Sequence, residues 1–420
     1  MDTIVINGGA TLSGTVSTGG AKNSALPLLF ATLLAGGEYR FHNVPMLRDI
    51  DSTMGLLEHL DYGIDREGTT LSVHARDCGH LDAPYDIVRK MRASILCLGP
   101  LLARYGRAKV SLPGGCAIGT RPINLHIEAL QQMGADIEID SGYVIARAKR
   151  LHGACIVFEN ATVGGTENLM LAATLARGTT ILENAAKEPE IVDLADCLVK
   201  MGAKIDGAGS SVITIEGVDQ LRPCNHSVIP DRIEAGTLLI AGAITGGDVR
   251  VNDCVPGHID ALIQRMTECG FRIDTGSDWM RVLPCEDWRA VDASTAPYPG
   301  FPTDLQAQFM ALMTLARGTS VITERIFENR FMHVQELVRM GANITPKTQV
   351  AIVRGEPGCL SGAPVMATDL RASASLVLAG LAASGETLVN RIYHLDRGYE
   401  RLEAKLKSLG ARIERRASPA

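Results

Sequence analysis

Leu198-Val199-Lys200-Met201-Gly202-Ala203-Lys204-Ile205 joins the end of a helical pattern to the start of a β-prone segment through a single glycine. A glycine after the last helical turn favours a left-handed C-cap, and the alternating apolar residues behind it predict a strand. The pattern recurs at intervals of 68 to 71 residues. Its glycines are Gly63, Gly134, Gly202, Gly270, Gly341 and Gly410. The 420-residue chain is therefore predicted to contain six copies of one α/β unit.

A second glycine opens an alternating strand inside each unit, after an apolar helical run. These glycines are Gly37, Gly106, Gly178, Gly247, Gly318 and Gly385. Each unit is therefore predicted to run helix, strand, helix, strands. The repeat is longer than the roughly 20–50 residues of solenoid units, so we expect two closed domains of three units each.

The segment 230–236 begins the second group of three units and marks the predicted crossover. We expect residues 20–229 to form the first three-repeat domain, and residues 1–19 with 230–420 to form the second. Ligands commonly bind between domains, so the active site is expected in the cleft between these two. Some helical stretches are apolar on nearly all sides and are predicted to be buried. They are Ala25–Ala35, Asn168–Ala176, Gln306–Leu315 and Ala372–Ala382.

The composition is that of an ordinary globular protein, with 46% hydrophobic and 21% charged residues. A net charge of -6 argues against a nucleic-acid partner but leaves small anionic substrates possible. No signal pattern opens the chain and no apolar stretch is long enough to span a membrane, so we expect a cytoplasmic protein. None of the ten cysteines forms a metal-ligand motif, and most are predicted to be buried apolar thiols. No metal and no cofactor is expected.

Two of four chemically distinctive segments lie in the first predicted domain. Lys22 lies where Gly19-Gly20 leads into an apolar helix, and a helix N-terminus with a lysine suits an anion. Cys116 lies in a loop flanked by glycines, five residues before Arg121. A neighbouring cation lowers the pKa of a thiol, which would make Cys116 an acid or a nucleophile. An incidental thiol in a turn is the alternative interpretation.

The other two segments lie in the second predicted domain. Asp304 lies near the start of a helix, where helix capping is the simpler interpretation. Asp369 precedes Arg371, and Asp396 precedes Arg397, in turn-like or helix-start contexts. Exposed ion pairs are the simpler interpretation of these two pairs.

Together the segments resemble the enolpyruvyl transferases, and among them the UDP-N-acetylglucosamine 1-carboxyvinyltransferases. The resemblance extends from Asn7 to Ala411 and includes the strings at 86–94, 328–333 and 367–380. It implies an α/β fold of two inside-out barrel domains, each with three repeats, as in EPSP synthase. It also implies transfer of the enolpyruvyl group of phosphoenolpyruvate to the 3-hydroxyl of UDP-N-acetylglucosamine, with release of phosphate. This is the first committed step of peptidoglycan synthesis.

The resemblance also assigns roles to individual residues. Cys116 corresponds to the proton donor, in a loop that closes over the substrates, and Asp304 to the base for the sugar hydroxyl. Asp369 either polarises the catalytic site or orients Arg371. The residues that the resemblance places around phosphoenolpyruvate are Lys22, Asn23, Arg121, Arg371 and Arg397. Those that it places around UDP-N-acetylglucosamine are Asn23, Arg92, Arg121, Pro122, Ile123, Asn124, Leu125, Thr162, Val163, Gly164, Asp304 and Ile326.

Two positions depart from the family pattern. Asn124 stands where an aspartate is common, which keeps a carbonyl for uracil but removes a charge. Asn160 stands where many relatives have a lysine, so one diphosphate contact is missing or comes from Arg89 or Lys90. Three alternatives are EPSP synthase itself, a catalytically idle paralogue that binds UDP-N-acetylglucosamine, and a protein-interaction solenoid. EPSP synthase lacks the Cys116 loop, and the other two would not need the reactive residues present here.

Overall fold

The computed structural model describes residues 2–89, 91–112 and 123–417, with the side chain of Arg92 outside this description. Its α-helices are α1 (Lys22–Ala31), α2 (Arg48–His59), α3 (Tyr85–Val88), α4 (Leu98–Tyr105), α5 (Asn124–Gln132), α6 (Val163–Ala173), α7 (Pro189–Lys200), α8 (Arg232–Ile244), α9 (Asp260–Cys269), α10 (Gln306–Met313), α11 (Val334–Arg339), α12 (Leu370–Ala382) and α13 (Leu402–Ser408). Short 3-10 helices cover Thr32–Leu34, Arg92–Cys97, Pro256–Ile259, Thr303–Leu305 and Ile392–Arg397.

The strands are short, as expected for segments that lie between a helix end and a turn. In chain order they are β1 (Thr3–Asn7), β2 (Ser13–Ser17), β3 (Gly37–His42), β4 (Gly63–Glu67), β5 (Thr70–Ala75), β6 (Asp82–Ala83), β7 (Arg107–Ser111), β8 (Asp136–Asp140), β9 (Tyr143–Arg147), β10 (Cys155–Val157), β11 (Thr179–Glu183), β12 (Lys204–Asp206), β13 (Val212–Glu216), β14 (Asn225–Ser227), β15 (Asp248–Asn252), β16 (Ile273–Thr275), β17 (Trp279–Val282), β18 (Ala293–Ser294), β19 (Gly318–Thr323), β20 (Asn343–Pro346), β21 (Val350–Gly355), β22 (Pro364–Met366), β23 (Glu386–Asn390) and β24 (Arg412–Arg416).

These strands form six four-stranded sheets in the described part of the chain. Each sheet has one parallel pair at an edge, followed by two antiparallel pairs, as in the order β10-β11-β13-β12. The six predicted repeats therefore correspond to six sheets of the same topology.

The chain divides into two compact units. The first unit contains residues 20–112 and 123–229, and the second contains residues 2–19 and 230–417. In the first unit, β14 follows the third repeat and pairs with β3 of the first repeat. In the second unit, the N-terminal strands β1 and β2 complete the sheets of β23–β24 and of β15.

Each unit has three helices that are buried on nearly all sides. In the first unit they are α1, α4 and α6, and in the second α8, α10 and α12. A helix buried all round has no polar face, which explains why the residues of α12 from Ala372 to Gly380 are all small or apolar. The buried helices predicted within residues 25–35, 168–176, 306–315 and 372–382 are confirmed, and α4 and α8 complete the two sets. The predicted α/β fold with helices inside and sheets outside is confirmed.

The glycine that ends each outer helix is left-handed in five of the six repeats, with φ between 91° and 114°. The prediction is wrong for Gly63. In the first repeat Asp61 takes the left-handed conformation instead, with φ of 70°. Its carboxylate also accepts a hydrogen bond from the Gly79 amide at 3.0 Å, which stabilises an aspartate in this role.

Among the residues that the structure describes, no helix is long and apolar enough to cross a membrane.

Candidate active site

In the first unit, the predicted anion-binding turn begins α1 at Lys22. Lys22 is buried, and its Nζ lies 3.4 Å from the Asp49 carboxylate in the first turn of α2. Gly20 precedes this turn against the backbone of Asn43, where an added Cβ would lie 1.7 Å from the carbonyl oxygen. The turn is therefore closely packed on one side, and a buried ammonium group is held at the start of the helix. Asn23 is partly exposed beside it.

In the second unit, the Asp304 carboxylate lies between two guanidinium groups. Oδ1 accepts from Arg330 Nη2 and Oδ2 from Arg371 Nη2, both at 2.8 Å. Both oxygens act as acceptors, which is the pattern of an ionised carboxylate. The side chain of Asp304 is 25% exposed, whereas both arginines are 5% exposed or less. Neither the 3-10 helix at Thr303–Leu305 nor α10 has a side-chain cap, so the capping interpretation of Asp304 is wrong.

Arg371 is buried at the start of α12 with its guanidinium 5.5 Å from the ring of Tyr399. Burial alone would lower the pKa of Arg371, but the Asp304 carboxylate and its hydrogen bond raise that pKa above its ordinary value. The second guanidinium nitrogen, Nη1, is buried and has no hydrogen-bond partner within the described residues. Buried donors are normally paired, so this nitrogen indicates a position for an acceptor group.

Asp369 is the N-cap of α12. Its Oδ1 accepts from the backbone N–H groups of Arg371 and Ala372 at 2.9 and 3.0 Å. The cap places Arg371 in the first turn of the helix. Of the two roles that the resemblance left open for Asp369, this geometry accounts for the orientation of Arg371.

Asp396 and Arg397 have different environments. Asp396 makes a two-pronged ion pair with the distant Arg415 at 2.9 and 2.8 Å, and both side chains are partly buried. An exposed pair of Asp396 with the adjacent Arg397 stays a prediction. Arg397 ends the 3-10 helix at Ile392–Arg397. Burial and then the Arg397 guanidinium lower the pKa of the neighbouring His394.

Six of the residues predicted for the sugar nucleotide lie at two helix starts in the first unit. Ile123 is the N-cap of α5, and Asn124 and Leu125 begin this helix. Thr162 caps α6 by accepting from the Gly165 N–H at 3.2 Å, and Val163 and Gly164 follow.

His126 connects these two helix starts. An added Cβ at Gly164 would lie 3.7 Å from its ring, and His126 Nδ1 lies 2.9 Å from the Asn168 amide. Burial lowers the pKa of His126 to about 4, so the ring is neutral and Nδ1 accepts. The starts of α5 and α6 are therefore adjacent, and helix N-termini suit a diphosphate.

Several predicted residues fall outside the described part of the chain. They are Cys116, Arg121, Pro122 and the side chain of Arg92. The alternative diphosphate contact Lys90 is also outside it, whereas Arg89 is described and lies 3.5 Å from Asp86. Asn160, at the other departure from the family pattern, is exposed in a bend.

Four residues of the site were not given roles from the sequence. Arg330 binds Asp304, Thr303 accepts from Arg330 Nη1 at 2.9 Å, and Glu324 accepts from the Thr303 hydroxyl at 2.9 Å. Glu324 also accepts from the Ile326 N–H at 2.8 Å, which fixes the turn that carries this predicted substrate contact. Asp49 is the fourth. Arg330 lies within the segment 328–333 that supports the family resemblance. The contacts of Arg330, Thr303 and Asp49 with their partners join segments more than 20 residues apart, so no local sequence pattern indicates them.

A cavity of about 420 Å³ in the second unit lies against α9, β18 and β19. Gln264, Arg265 and Asp292 line it, and none of the predicted site residues does. Cavity volume alone therefore does not identify the site, which is defined by its charged side chains.

Comparison with known proteins identifies the family and agrees with the fold. The family model described as EPSP synthase (3-phosphoshikimate 1-carboxyvinyltransferase) matches residues 6–406. The enolpyruvyl transferase NikO from Streptomyces tendae has a similar structure, with a TM-score of 0.89, 27% identity and coverage of 100% of this chain and 99% of NikO. EPSP synthase from Acinetobacter baumannii shares the fold, with a TM-score of 0.77 and 17% identity over 99% of this chain and all of the other.

Curated relatives are more similar still. A UDP-N-acetylglucosamine 1-carboxyvinyltransferase of Bdellovibrio bacteriovorus is 65% identical over 98% of this chain and 100% of its own length. One of Geotalea daltonii is 57% identical over 99% of both chains. The chain therefore belongs to the EPSP synthase family of enolpyruvyl transferases, in the group of the UDP-N-acetylglucosamine 1-carboxyvinyltransferases.

Proposed function

We propose that this chain works in the cytoplasm and transfers the enolpyruvyl group of phosphoenolpyruvate to the 3-hydroxyl of UDP-N-acetylglucosamine. The products are UDP-N-acetyl-3-O-(1-carboxyvinyl)-glucosamine and phosphate. The observation that carries the proposal is the 65% identity, over the full length of the relative, to a protein of that name. The 17% identity to EPSP synthase supports only the common fold, so shikimate 3-phosphate is not the proposed acceptor.

The reaction is an addition followed by an elimination. The sugar O3 forms a bond to C2 of phosphoenolpyruvate while C3 takes up a proton, which gives a tetrahedral phospho-ketal. That intermediate then loses a proton from C3 and the phosphate from C2. The site must therefore supply a base for the hydroxyl, an acid for C3, and cations for the phosphate and the carboxylate.

Asp304 is the proposed base. Its carboxylate is ionised, partly exposed and fixed by Arg330 and Arg371, so it can accept a proton without first changing position. A base must come within hydrogen-bond distance of the proton that it removes, and fixed geometry makes that approach reproducible.

Lys22, Arg121, Arg371 and Arg397 are the proposed cations. The unpaired Nη1 of Arg371 suits a carboxylate or phosphate oxygen, because a guanidinium binds such groups through two parallel N–H bonds. Lys22 is already partly neutralised by Asp49 and is buried, so an incoming anion meets a charge with little water around it. Fixed charges of this kind stabilise the charge that develops in the transition state.

Cys116 is the proposed acid for C3, and its loop the proposed lid over the bound substrates. Closure after the sugar nucleotide binds would exclude water from the hydrolysable intermediate. The proposed roles fall on both units: Lys22 and Asn23 belong to the first, whereas Asp304, Arg371 and Arg397 belong to the second. We therefore expect neither unit to catalyse the reaction alone.

The test is the release of phosphate from phosphoenolpyruvate with UDP-N-acetylglucosamine, and with shikimate 3-phosphate in a parallel reaction. We expect release only with UDP-N-acetylglucosamine. Release with shikimate 3-phosphate alone would overturn the proposed acceptor. Binding of UDP-N-acetylglucosamine without release in either reaction would favour the catalytically idle paralogue.

A further inference from the structure

Behind the Lys22 turn, three buried polar side chains form a hydrogen-bonded chain with no direct role in the proposed reaction. They are Ser24, Asp193 and His226, each 4% exposed or less. Ser24 lies in the first turn of α1, Asp193 in α7 and His226 in β14. The three elements come from different parts of the first unit and meet at the start of α1.

Asp193 is the acceptor at the centre of this chain. Its Oδ1 accepts from His226 Nε2 at 2.8 Å, and its Oδ2 accepts from the Ser24 hydroxyl. The Ile229 N–H also points to Oδ2, at 3.4 Å. A carboxylate that is buried needs such donors, because an unpaired charge in the interior is strongly unfavourable.

The partners of His226 define its tautomer. Lys200 Nζ lies 3.0 Å from Nδ1, and an ammonium group can only donate. The carboxylate on the other side can only accept, so Nδ1 is the acceptor of the ring and Nε2 is its donor. Lys200 therefore donates to His226, and His226 donates to Asp193.

Asp193 and the segment that follows β14 hold both ends of the Lys22–Asn23 dipeptide. On one side the Ala21 N–H donates to the Ile229 carbonyl at 2.8 Å, and on the other Ser24 donates to Asp193. The N-cap residue of α1, Ala21, has no side-chain capping bond. The first turn of α1 is thus held by contacts to Ile229 and Asp193 rather than by a cap.

We propose that Asp193, supported by His226, is a positioning residue for phosphoenolpyruvate binding that acts through Ser24 on the turn carrying Lys22 and Asn23. The inference rests on the proposed function, since it takes this turn as part of the substrate site. A serine hydroxyl without a tertiary acceptor would bond to a carbonyl of its own helix segment and bend the turn. Displacement by about 1 Å at a site of this kind can cost about 10²-fold in rate.

The first experiment compares the steady-state kinetics of Ser24→Ala and Thr32→Val in the full chain. Thr32 lies at the opposite end of the same helical segment and is equally buried, and its hydroxyl donates to the Leu29 carbonyl at 2.6 Å. We expect Ser24→Ala to raise KM for phosphoenolpyruvate about tenfold, as for the loss of a hydrogen bond to a charged group, with a smaller change in kcat. Thr32→Val should leave KM unchanged.

A second pair of variants tests the support from His226. His226→Gln keeps a side-chain N–H where Nε2 lies, so its KM for phosphoenolpyruvate should stay near the wild-type value. His226→Ala should raise KM as Ser24→Ala does. Asp193→Asn should raise it further, because the amide presents a donor to a site that already holds only donors; if this variant does not fold, Ser24→Ala decides.

Two results would overturn the inference. One is an unchanged KM for phosphoenolpyruvate in Ser24→Ala. The other is an equal rise in Ser24→Ala and Thr32→Val, which would indicate a general loss of helix stability. A wild-type chain that releases no phosphate would overturn the proposed function and this inference with it, whereas an active wild type with a silent Ser24→Ala overturns this inference alone.

Discussion

Asp304 is the residue on which the proposed chemistry depends most. Its replacement by asparagine keeps the shape but removes the base and leaves two buried guanidinium groups without their carboxylate. We expect Asp304→Asn to lower the rate of phosphate release by about 10²–10⁴-fold, the usual contribution of a general base. The matched control is Asp287→Asn, an exposed aspartate paired with Arg317, which should keep the wild-type rate. A fall of less than about tenfold in Asp304→Asn would show that another group accepts the proton.

Cys116 is the proposed proton donor, and its reactivity can be tested with an alkylating inhibitor. The resemblance to the family implies alkylation by fosfomycin, an epoxide phosphonate, and we expect this chain to be inactivated with one adduct on Cys116. Cys116→Asp should keep phosphate release, because a carboxylic acid can also donate a proton, and should resist fosfomycin. Activity and adduct mass measured on both proteins provide the check. Loss of activity in Cys116→Asp would mean that the thiol has a role which an acid cannot replace.

Individual residues were predictable from sequence where their chemistry is local. Lys22 and Asp304 were found because each stands at a turn or helix start, where a charged residue is noticeable. Asp49, Thr303, Glu324 and Arg330 were not, because their importance arises from contacts between segments that are distant along the chain. Asp304 also shows the limit of local rules, since capping was the simpler interpretation and the carboxylate instead binds two arginines.

Among the helices, α12 has Asp369 as its N-cap, and two variants of this residue distinguish its possible roles. One role is to orient Arg371, and the other is to polarise the catalytic site through its charge. Asp369→Asn keeps an oxygen that can accept from the Arg371 and Ala372 amides but removes the charge, whereas Asp369→Ala removes both. If orientation of Arg371 is the role, the asparagine variant should keep most of its phosphate release. The alanine variant should lose activity and about 1 kcal/mol of unfolding free energy. Equal loss of activity in both variants, with the stability of Asp369→Asn intact, would instead assign the role to the charge.

The turn before α1 gives a prediction about backbone packing. Gly20→Ala would place a Cβ 1.7 Å from the Asn43 carbonyl oxygen, so the turn that carries Lys22 must shift. We expect a lower melting temperature and strongly reduced phosphate release. Gly55→Ala is the control: it lies within α2 with no atom within 4 Å of the added Cβ, and should stabilise the helix by about 0.5–1 kcal/mol. A Gly20→Ala variant as stable and active as Gly55→Ala would contradict the described packing.

The elements differ in how far the sequence predicts them. Helices buried all round are recognisable because no polar face interrupts them, and the glycine C-caps are recognisable because few residues tolerate positive φ. Asp61 in place of Gly63 was missed because aspartate adopts that conformation only with local hydrogen-bond support. The strands β2 and β14 were not predicted, since mostly polar segments of five and three residues join their sheets through long-range pairing.

For the molecule as a whole, we expect the free energy of unfolding to fall in acid, because two buried histidines are neutral in the folded state. Burial lowers the pKa of His126 in the first unit and of His333 in the second to about 4 in each case. The unfolded chain takes up these protons near pH 6.5, so the stabilisation is complete above pH 6.5 and is lost as the pH falls towards 4. His126 alone should lower the unfolding free energy by about 2 kcal/mol between pH 7 and pH 5.

Denaturant unfolding of the wild type and of His126→Asn at both pH values provides the check. Asparagine keeps an acceptor for Asn168 near the position of Nδ1 but does not titrate. The unfolding free energy of His126→Asn should therefore change less between pH 7 and pH 5 than that of the wild type, by about 2 kcal/mol. Equal pH dependence in the two proteins would mean that the pKa of His126 is the same in the folded and unfolded states, which would contradict the effect of burial.

In the proposed reaction the enolpyruvyl group is transferred to the 3-hydroxyl of UDP-N-acetylglucosamine. The most direct test uses phosphoenolpyruvate labelled with carbon-13 at C2 and a proton–carbon correlation spectrum of the nucleotide-sugar product. Transfer to the 3-hydroxyl should give a three-bond correlation between the labelled vinyl carbon and the proton on C3 of the sugar. A correlation to a proton at another sugar position, or a nucleotide sugar that acquires no label while phosphate is released, would contradict it.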